Sequence, residues 1–333
     1  MINLPKVTDL DVTNKKVLVR ADLDIDIGEN YRLEALLPTL KYLSSQSSKI
    51  ILIGHRGRPE GKVVEELKMK PVEDELRKIA SGIEFEVLEN LRFDLGEEKN
   101  DLEYAKKLAL LGDVYVNEAF ASSHREAASI TGLPKLLPHA AGLRFIEEVK
   151  NLSKVFNNPK RPVMFIVGGS KKDKLDYIEG LKAVADKILV GGRLPDYLQD
   201  RYSLPVRQAG ILDTKIIVAN LLPDKEDLTI NSMVKFEEEI DKAGTIVLAG
   251  PMGKYEDEGH RQGTERIFSA VAASQASLKI TGGGDSLSVL SIYDLKDKFD
   301  WVSVGGGAML EFLAKRTLPG IKALESANLN MEG

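Results

Sequence analysis

Five apolar runs in the second half of the chain, VMFIVGG, KILVGG, TIVLAGPMG, LKITGGGD and WVSVGGG, all carry glycine at their far end, and most lead into a plausible helix such as AMLEFLAKR. A short run rich in β-branched residues reads as a buried strand, and the glycine after it as a turn. Strand, turn and helix in repetition commit a chain to an open parallel sheet with helices on both faces. The first half alternates in the same way with different punctuation. KKVLVRA, KIILIGH, EFEVLEN and DVYVNEA are candidate strands, separated by LEALLPTLKYLSS, VEDELRKIAS and DLEYAKKLALLG, whose leucines and alanines recur at helical spacing.

A length of 333 residues exceeds what one core usually supports, so two sheets imply two domains. The stretch GLRFIEEVKNLSKVFNNPKRP reads as one connecting helix ended by Asn-Asn-Pro, which puts the boundary near Lys150. Composition narrows what such a chain can do. An apolar fraction of 43% and a charged fraction of 29% are those of a soluble globular protein, with no run long enough for a membrane span. The amino terminus, MINLPKVTDLDVTNKK, lacks the apolar core and cleavage site of a secretory signal, so a cytoplasmic protein is expected. The absence of cysteine excludes disulfides, thiolate zinc sites and a cysteine nucleophile. A net charge of −5 argues against a general nucleic-acid binder, so any phosphate recognition must be local.

In open α/β sheets ligands bind beyond the carboxyl ends of the strands, and there the two halves differ. The first half offers side chains: Asp22 and Asp24, then His55, Arg56 and Arg58, then Arg92, then His124 and Arg125. With Arg32, the arginines suit a converging site for phosphate and carboxylate, which the guanidinium fork binds in bidentate fashion. Any one of these arginines alone reads as an ordinary solvated side chain. The second half offers mostly glycine, hence bare N–H groups at helix starts, where phosphate binds well. Neither G-x-G-x-x-G nor G-x-x-x-x-G-K-[ST] occurs, so neither of the two commonest nucleotide cradles is present. Asp285, in GGGDSLSVL, reads either as a helix cap or as a magnesium contact, and spacing alone favours the cap. In GGSKKDK, three lysines open a helix against its dipole, an arrangement that wants an anion nearby.

VLVRADLDID, YRLEALLPTLKYL, GHRGRPEG, LENLRF, GDVYVNEAFASSHREAAS, GGSKKDK, GPMGKYE, GGGDS, VGGGAMLEFL and LPGIKAL follow one another in the order found in a known family. Over nearly its whole length the chain resembles the phosphoglycerate kinases. The resemblance implies two Rossmann-like domains joined by a hinge helix: residues 1–150 for phosphoglycerate, with the tail near 320–333 docking back on them, and residues 151–319 for nucleotide. It implies reversible, Mg²⁺-dependent phosphoryl transfer between 1,3-bisphosphoglycerate and ADP, by a cytoplasmic monomer with small-molecule partners and no membrane or nucleic-acid partner. On the glycerate side it implies contacts from Asp22, Leu23, Asp24, Arg32, His55, Arg58, Arg92 and Arg125, with Arg32 also reaching the phosphoryl group in flight. On the nucleotide side it implies Gly168, Gly169, Lys171, Lys174, Gly192, Pro251, Glu256 on the ribose, Gly283, Gly284, Ser286, and Asp285 on the metal. Lys174, Gly306 and Gly307 would join Arg32 around the transferred group. Chemistry between two such ligands would call for hinge closure that excludes water.

The chain departs from the family's pattern in both halves. D-F-N-V-P is DLDID here and H-R-A-H is HREA, so Asp24 replaces an asparagine and Ala127 a histidine. Arg56 is the residue expected to offset Asp24. The lysine motif is one residue short, which leaves Lys171 and Lys174 three apart and offers Lys172 as a substitute, and the segment carrying D-x-G-P is missing between Leu198 and Gly244. Two rival readings follow: a paralogue acting on another carboxylic acid, or a non-catalytic nucleotide-binding homologue.

Overall fold

The repeated strand–helix pattern builds two parallel sheets. A computed structural model describes residues 2–201 and 215–326; the shortened segment at 202–214 and the last residues of the tail, 327–333, lie outside the described residues. The chain divides into two compact units, one of Met1–Lys150 with Thr317–Gly333 and one of Asn151–Arg316.

In the first unit β1 (Lys16–Arg20), β2 (Lys49–Ile53), β3 (Phe85–Val87), β4 (Val114–Asn117) and β5 (His139–Ala141) pair in the order β3-β2-β1-β4-β5, parallel throughout. In the second, β6 (Val163–Val167), β7 (Lys187–Val190), β8 (Ile216–Val218), β9 (Thr245–Ala249), β10 (Leu278–Gly282) and β11 (Trp301–Ser303) take the order β11-β10-β9-β6-β7-β8, also parallel. The central strands β4, β6 and β9 are buried at every position, as expected where helices cover both faces, and this explains their unbroken apolar runs. The three-residue strands β5 and β8 sit at sheet edges and had not been expected from the sequence.

The helix Tyr31–Ser45 buries Leu33, Leu36, Leu40 and Leu43 against Val17, Val19 and Leu52 of the first sheet. Each such side chain contributes about 1.5–3 kcal/mol over its exposed state. The connecting helix Leu143–Ser153 ends earlier than Asn-Asn-Pro, since the chain breaks into turns at Lys154. The last helix, Pro319–Ser326, is fastened to the first unit by Gly320 N–H to the Ser123 carbonyl at 2.9 Å. Among the described residues no helix is long and apolar enough to cross a membrane.

Candidate active site

In each sheet the strand order reverses beside the first strand of the unit, between β1 and β4 and between β6 and β9. Such switch points open a crevice at the carboxyl edge. In the first unit Asp22 stands there: its carboxylate accepts the Ala121 N–H at 2.8 Å and the Ser122 hydroxyl at 2.7 Å, tying the chain after β1 to the chain after β4. Beside it is a cavity of about 290 Å³ lined by Arg20, His55, Arg92, Ser122 and Arg125, with Glu97, Glu98, Glu126, Ala127 and Ile130 completing the wall.

The cavity gathers His55, Arg92 and Arg125 from the expected glycerate set, and it adds Arg20. Arg20 is not among the residues that follow strands, because it lies inside the strand run. The available signal was a charge at the end of an otherwise apolar run, and Arg20 is in fact 1% exposed. Its Nη2 lies 2.7 Å from His55 Nδ1. Burial first, then the guanidiniums of Arg20, Arg92, Arg125 and Arg32, hold the His55 pKa well below the ordinary imidazole value. Arg92 donates to the Gly57 carbonyl at 2.7 Å and meets Glu98 at 3.2 Å; burial pulls its pKa down while Glu98 opposes the shift.

The remaining members of the set lie around this cavity without lining it. Arg32 donates through Nη1 to the Asp24 carbonyl. Asp24 accepts the Gly57 N–H at 2.8 Å and has its other oxygen 3.8 Å from His55 Nε2. Leu23 buries its side chain in the core, so it can offer a ligand only its main chain. Arg58 is exposed. Arg56 does not offset Asp24: its guanidinium is spent on the main-chain oxygens of Glu66 at 3.2 Å and Lys68 at 2.8 Å, partners in a distant loop that no local pattern announces.

In the second unit the ends of β6, β7 and β9 meet backbone to backbone. Gly169 donates to the Pro251 carbonyl at 2.7 Å, and a Cβ on Gly192, at φ +59°, would lie 2.4 Å from Gly169 N. A Cβ on Gly168 would meet the Pro251 carbonyl oxygen at 2.4 Å. Lys174 spans this switch point, donating to the Gly168 carbonyl at 2.7 Å and the Ala249 carbonyl at 3.2 Å. Burial lowers its pKa to about 8; Asp285 works against that shift and Lys171 adds to it. The three-residue spacing of Lys171 and Lys174 has a structural counterpart. Residues Lys172–Tyr177 form a 3₁₀ helix with Lys171 at its N-cap, and this helix repeats every three residues. Lys172 does not take over from Lys174 at the strand ends: its Nζ lies 5.8 Å from the centre of the Tyr197 ring.

Two helix starts lie side by side beyond β10 and β11, at Gly284–Ile292 and Gly306–Lys315. A Cβ on Gly283 would come within 3.1 Å of Gly306 Cα, whereas one on Gly307 would meet nothing within 4 Å. The N-caps are Gly283 and Gly305, and no side chain caps either helix. Asp285 is therefore not the cap that spacing favoured; it stands exposed in the first turn. Ser286 is buried and accepts the Gly250 N–H at 3.2 Å, so its hydroxyl fastens the end of β9. Glu256 is exposed next to Tyr255. Paired helix starts without side-chain caps present N–H donors and dipole ends to an anion.

The family model described as phosphoglycerate kinase matches residues 7–226 and 214–316. The chain belongs to the phosphoglycerate kinase family. The phosphoglycerate kinase of Moorella thermoacetica is 35% identical over 384 aligned positions, covering 95% of this chain and 98% of the relative, and that of Finegoldia magna is 34% identical, covering 97% and 100%. An alignment longer than the chain's 333 residues means that the relative carries segments this chain lacks. Among solved structures, phosphoglycerate kinase from Coxiella burnetii superposes with a TM-score of 0.78 at 30% identity, covering 97% of this chain and 99% of its own. The enzyme from Pyrococcus horikoshii gives 0.82 at 25% identity, covering 98% and 100%. As a phosphoglycerate kinase the chain is a phosphotransferase that acts on a carboxyl group, with phosphoglycerate and ADP or ATP as its small-molecule substrates.

Proposed function

We propose that residues 1–150 bind phosphoglycerate, that residues 151–316 bind the nucleotide, and that phosphoryl transfer between them depends on Mg²⁺. The observation that carries this reading is the cavity in which three guanidiniums, Arg20, Arg92 and Arg125, surround a neutral His55, a lining suited to a small multiply charged acid. Two of its three glutamates are taken up by the protein: Glu97 is turned to Ser129 and Glu98 to Arg92.

On the nucleotide side, the open backbone at Gly168, Gly169 and Gly192 lets phosphates approach, while Lys171 and Lys174 supply charge. Glu256 is assigned to the ribose. Gly283 and Gly284 are assigned to the nucleotide's phosphates, the N–H groups of Gly306 and Gly307 to the transferred group, and Arg32 stabilises charge as it spreads over the phosphoryl oxygens. No protein nucleophile is needed.

Asp285 is the residue we assign to the metal. Mg²⁺ in phosphoryl-transfer sites is held by one or two carboxylates with the substrate's own phosphates, and an exposed carboxylate not used as a cap meets that need. Among the described residues no group of three or more acidic or histidine side chains forms a metal cage, which fits a metal that arrives with the nucleotide. The metal would neutralise charge on the β- and γ-phosphates. The reading includes a cytoplasmic monomer that does not bind nucleic acid, in keeping with a net charge of −5.

A coupled assay with 3-phosphoglycerate and Mg-ATP tests it. Turnover is expected, lost on chelation and restored by Mg²⁺. No turnover despite calorimetric binding of Mg-ADP would transfer the assignment to another carboxylic acid.

A further inference from the structure

Behind the cavity of the first unit runs a chain of hydrogen bonds that substrate contact alone does not require. Glu97, 2% exposed, accepts both the N–H of Ser129 at 3.0 Å and its hydroxyl at 2.6 Å. With that proton directed to Glu97, Ser129 Oγ presents a lone pair to Arg20 Nε at 2.9 Å. The same guanidinium reaches His55 Nδ1 through Nη2 at 2.7 Å. A guanidinium has no acceptor and keeps its protons, so the direction of the last bond is fixed. Arg20 donates, Nδ1 is bare, and the ring's single proton sits on Nε2. That nitrogen lies 3.8 Å from Asp24 Oδ2, beyond hydrogen-bond length, which leaves its N–H to serve the cavity that His55 lines.

We propose that Glu97, Ser129 and Arg20 are positioning residues that lock His55 as its neutral Nε2–H tautomer, so that it gives the substrate's anionic end one directed hydrogen bond and no charge. The inference rests on the reading that this cavity receives phosphoglycerate. The groups facing the ring agree with it. Arg20 from β1, Arg32 from the helix Tyr31–Ser45, Arg92 from the turn after β3 and Arg125 from the loop after β4 all oppose protonation, with Asp24 on the other side. Lacking charge, His55 adds no pH dependence to substrate affinity near neutrality, although histidine is the side chain most suited to provide it.

Nitrogen-15 NMR of the His55 ring in the whole protein, followed from about pH 5.5 to about pH 8, tests the tautomer without any substrate. The wild type is expected to show the neutral Nε2–H form throughout. In Arg20→Met the Nδ1–H form should appear and the ring's pKa should rise above its wild-type value, while burial and the guanidiniums of Arg92, Arg125 and Arg32 still hold it below the ordinary imidazole value. The KM for 3-phosphoglycerate should then acquire an inflection at the variant ring's own pKa that the wild type lacks. Ser129→Ala should show the same ring change in smaller measure, with KM raised roughly 3- to 10-fold and most of the effect in KM rather than kcat. A wild-type ring protonated on Nδ1, or titrating near 6.5, overturns the proposal even if neither variant folds; so do variants that leave the ring signals unchanged. If the ring behaves as stated and the wild type does not bind 3-phosphoglycerate, the functional reading falls and the lock stands.

Discussion

Lys174 Nζ donates to the main-chain oxygen of Gly168 at 2.7 Å, and its second bond, to the Ala249 carbonyl, joins the ends of β6 and β9. Asp22 does the corresponding work in the first unit, joining the chain after β1 to the chain after β4. Both switch points are thus bridged by a charged side chain, and the charges are opposite. The lysine stands where a nucleotide's phosphates are proposed to bind, whereas the aspartate is consumed by protein donors and leaves the arginines to face the glycerate.

Burial brings Lys174 to a pKa of about 8, so its ammonium form is present below pH 7 and lost as pH rises through 8. If only the charged form binds nucleotide, apparent affinity for Mg-ADP should fall about 10-fold between pH 7 and pH 9. Calorimetry across that range checks it. Lys174→Met should bind weakly at every pH, and Lys174→Arg should lose the alkaline limb. A flat profile in the wild type would show that Lys174 does not govern binding.

The central strands were legible because burial on both faces requires unbroken apolar runs, as in β6 and β9. The edge strands β5 and β8 were not: His-Ala-Ala carries no β-branched residue, and Ile-Ile-Val lacks the glycine that follows the other strands of its sheet. Candidate site residues could be found by their position after strands, which brought out His55, Arg92, Arg125 and Lys174. Their partners could not. Arg20 meets Ser129, Asp22 meets Ser122 and Arg56 meets Lys68, and each bond crosses an interval that only the sheet order or a loop closes. Asp285 shows the same limit from the other side: Asp is a good cap in general, yet the positive φ of Gly283 starts the helix earlier.

Arg32 is held by the Asp24 carbonyl, an anchor that gives it direction. Assigned to charge that develops in transfer, it should matter little to the ground state. Arg32→Ala is expected to lower kcat by roughly 100-fold or more while the Kd for Mg-ADP stays within about twofold, and Arg32→Lys should recover only part, lacking the planar fork. Steady-state kinetics paired with calorimetry separate the two quantities, and a collapse of nucleotide affinity would remove Arg32 from this role.

Gly192 has no room for a side chain. Its φ of +59° disfavours other residues, and a Cβ would stand 2.4 Å from Gly169 N and 2.6 Å from Gly169 O, backbone atoms that cannot swing aside. Gly192→Ala should cost about 1–3 kcal/mol and weaken Mg-ADP binding by displacing the Gly169 turn. Thermal unfolding with and without nucleotide reads both effects. Unchanged stability would mean that β7 can shift relative to β6, contrary to the contacts seen.

Glu118 is fully buried after β4 and takes the N–H groups of Arg144 and Phe145, each at 2.9 Å, at the start of the helix Leu143–Ser153, with the Thr39 hydroxyl at 2.5 Å. These bonds favour the carboxylate, but burial outweighs them and raises its pKa from 4.5 to about 7. A carboxyl group with a raised folded pKa contributes stability that is complete below about pH 4.5 and is lost as pH rises through 7. The swing is about 3 kcal/mol at most. His55 acts in the opposite sense, because its depressed pKa costs stability as pH falls below about 6.5. Comparison with Glu118→Gln cancels His55, which both proteins contain. Chemical denaturation at about pH 5 and about pH 8 should therefore show the wild type losing about 2–3 kcal/mol relative to the variant on going to the higher pH. A difference that does not change with pH would mean that Glu118 stays ionised throughout, its charge fully supported by the helix start it caps.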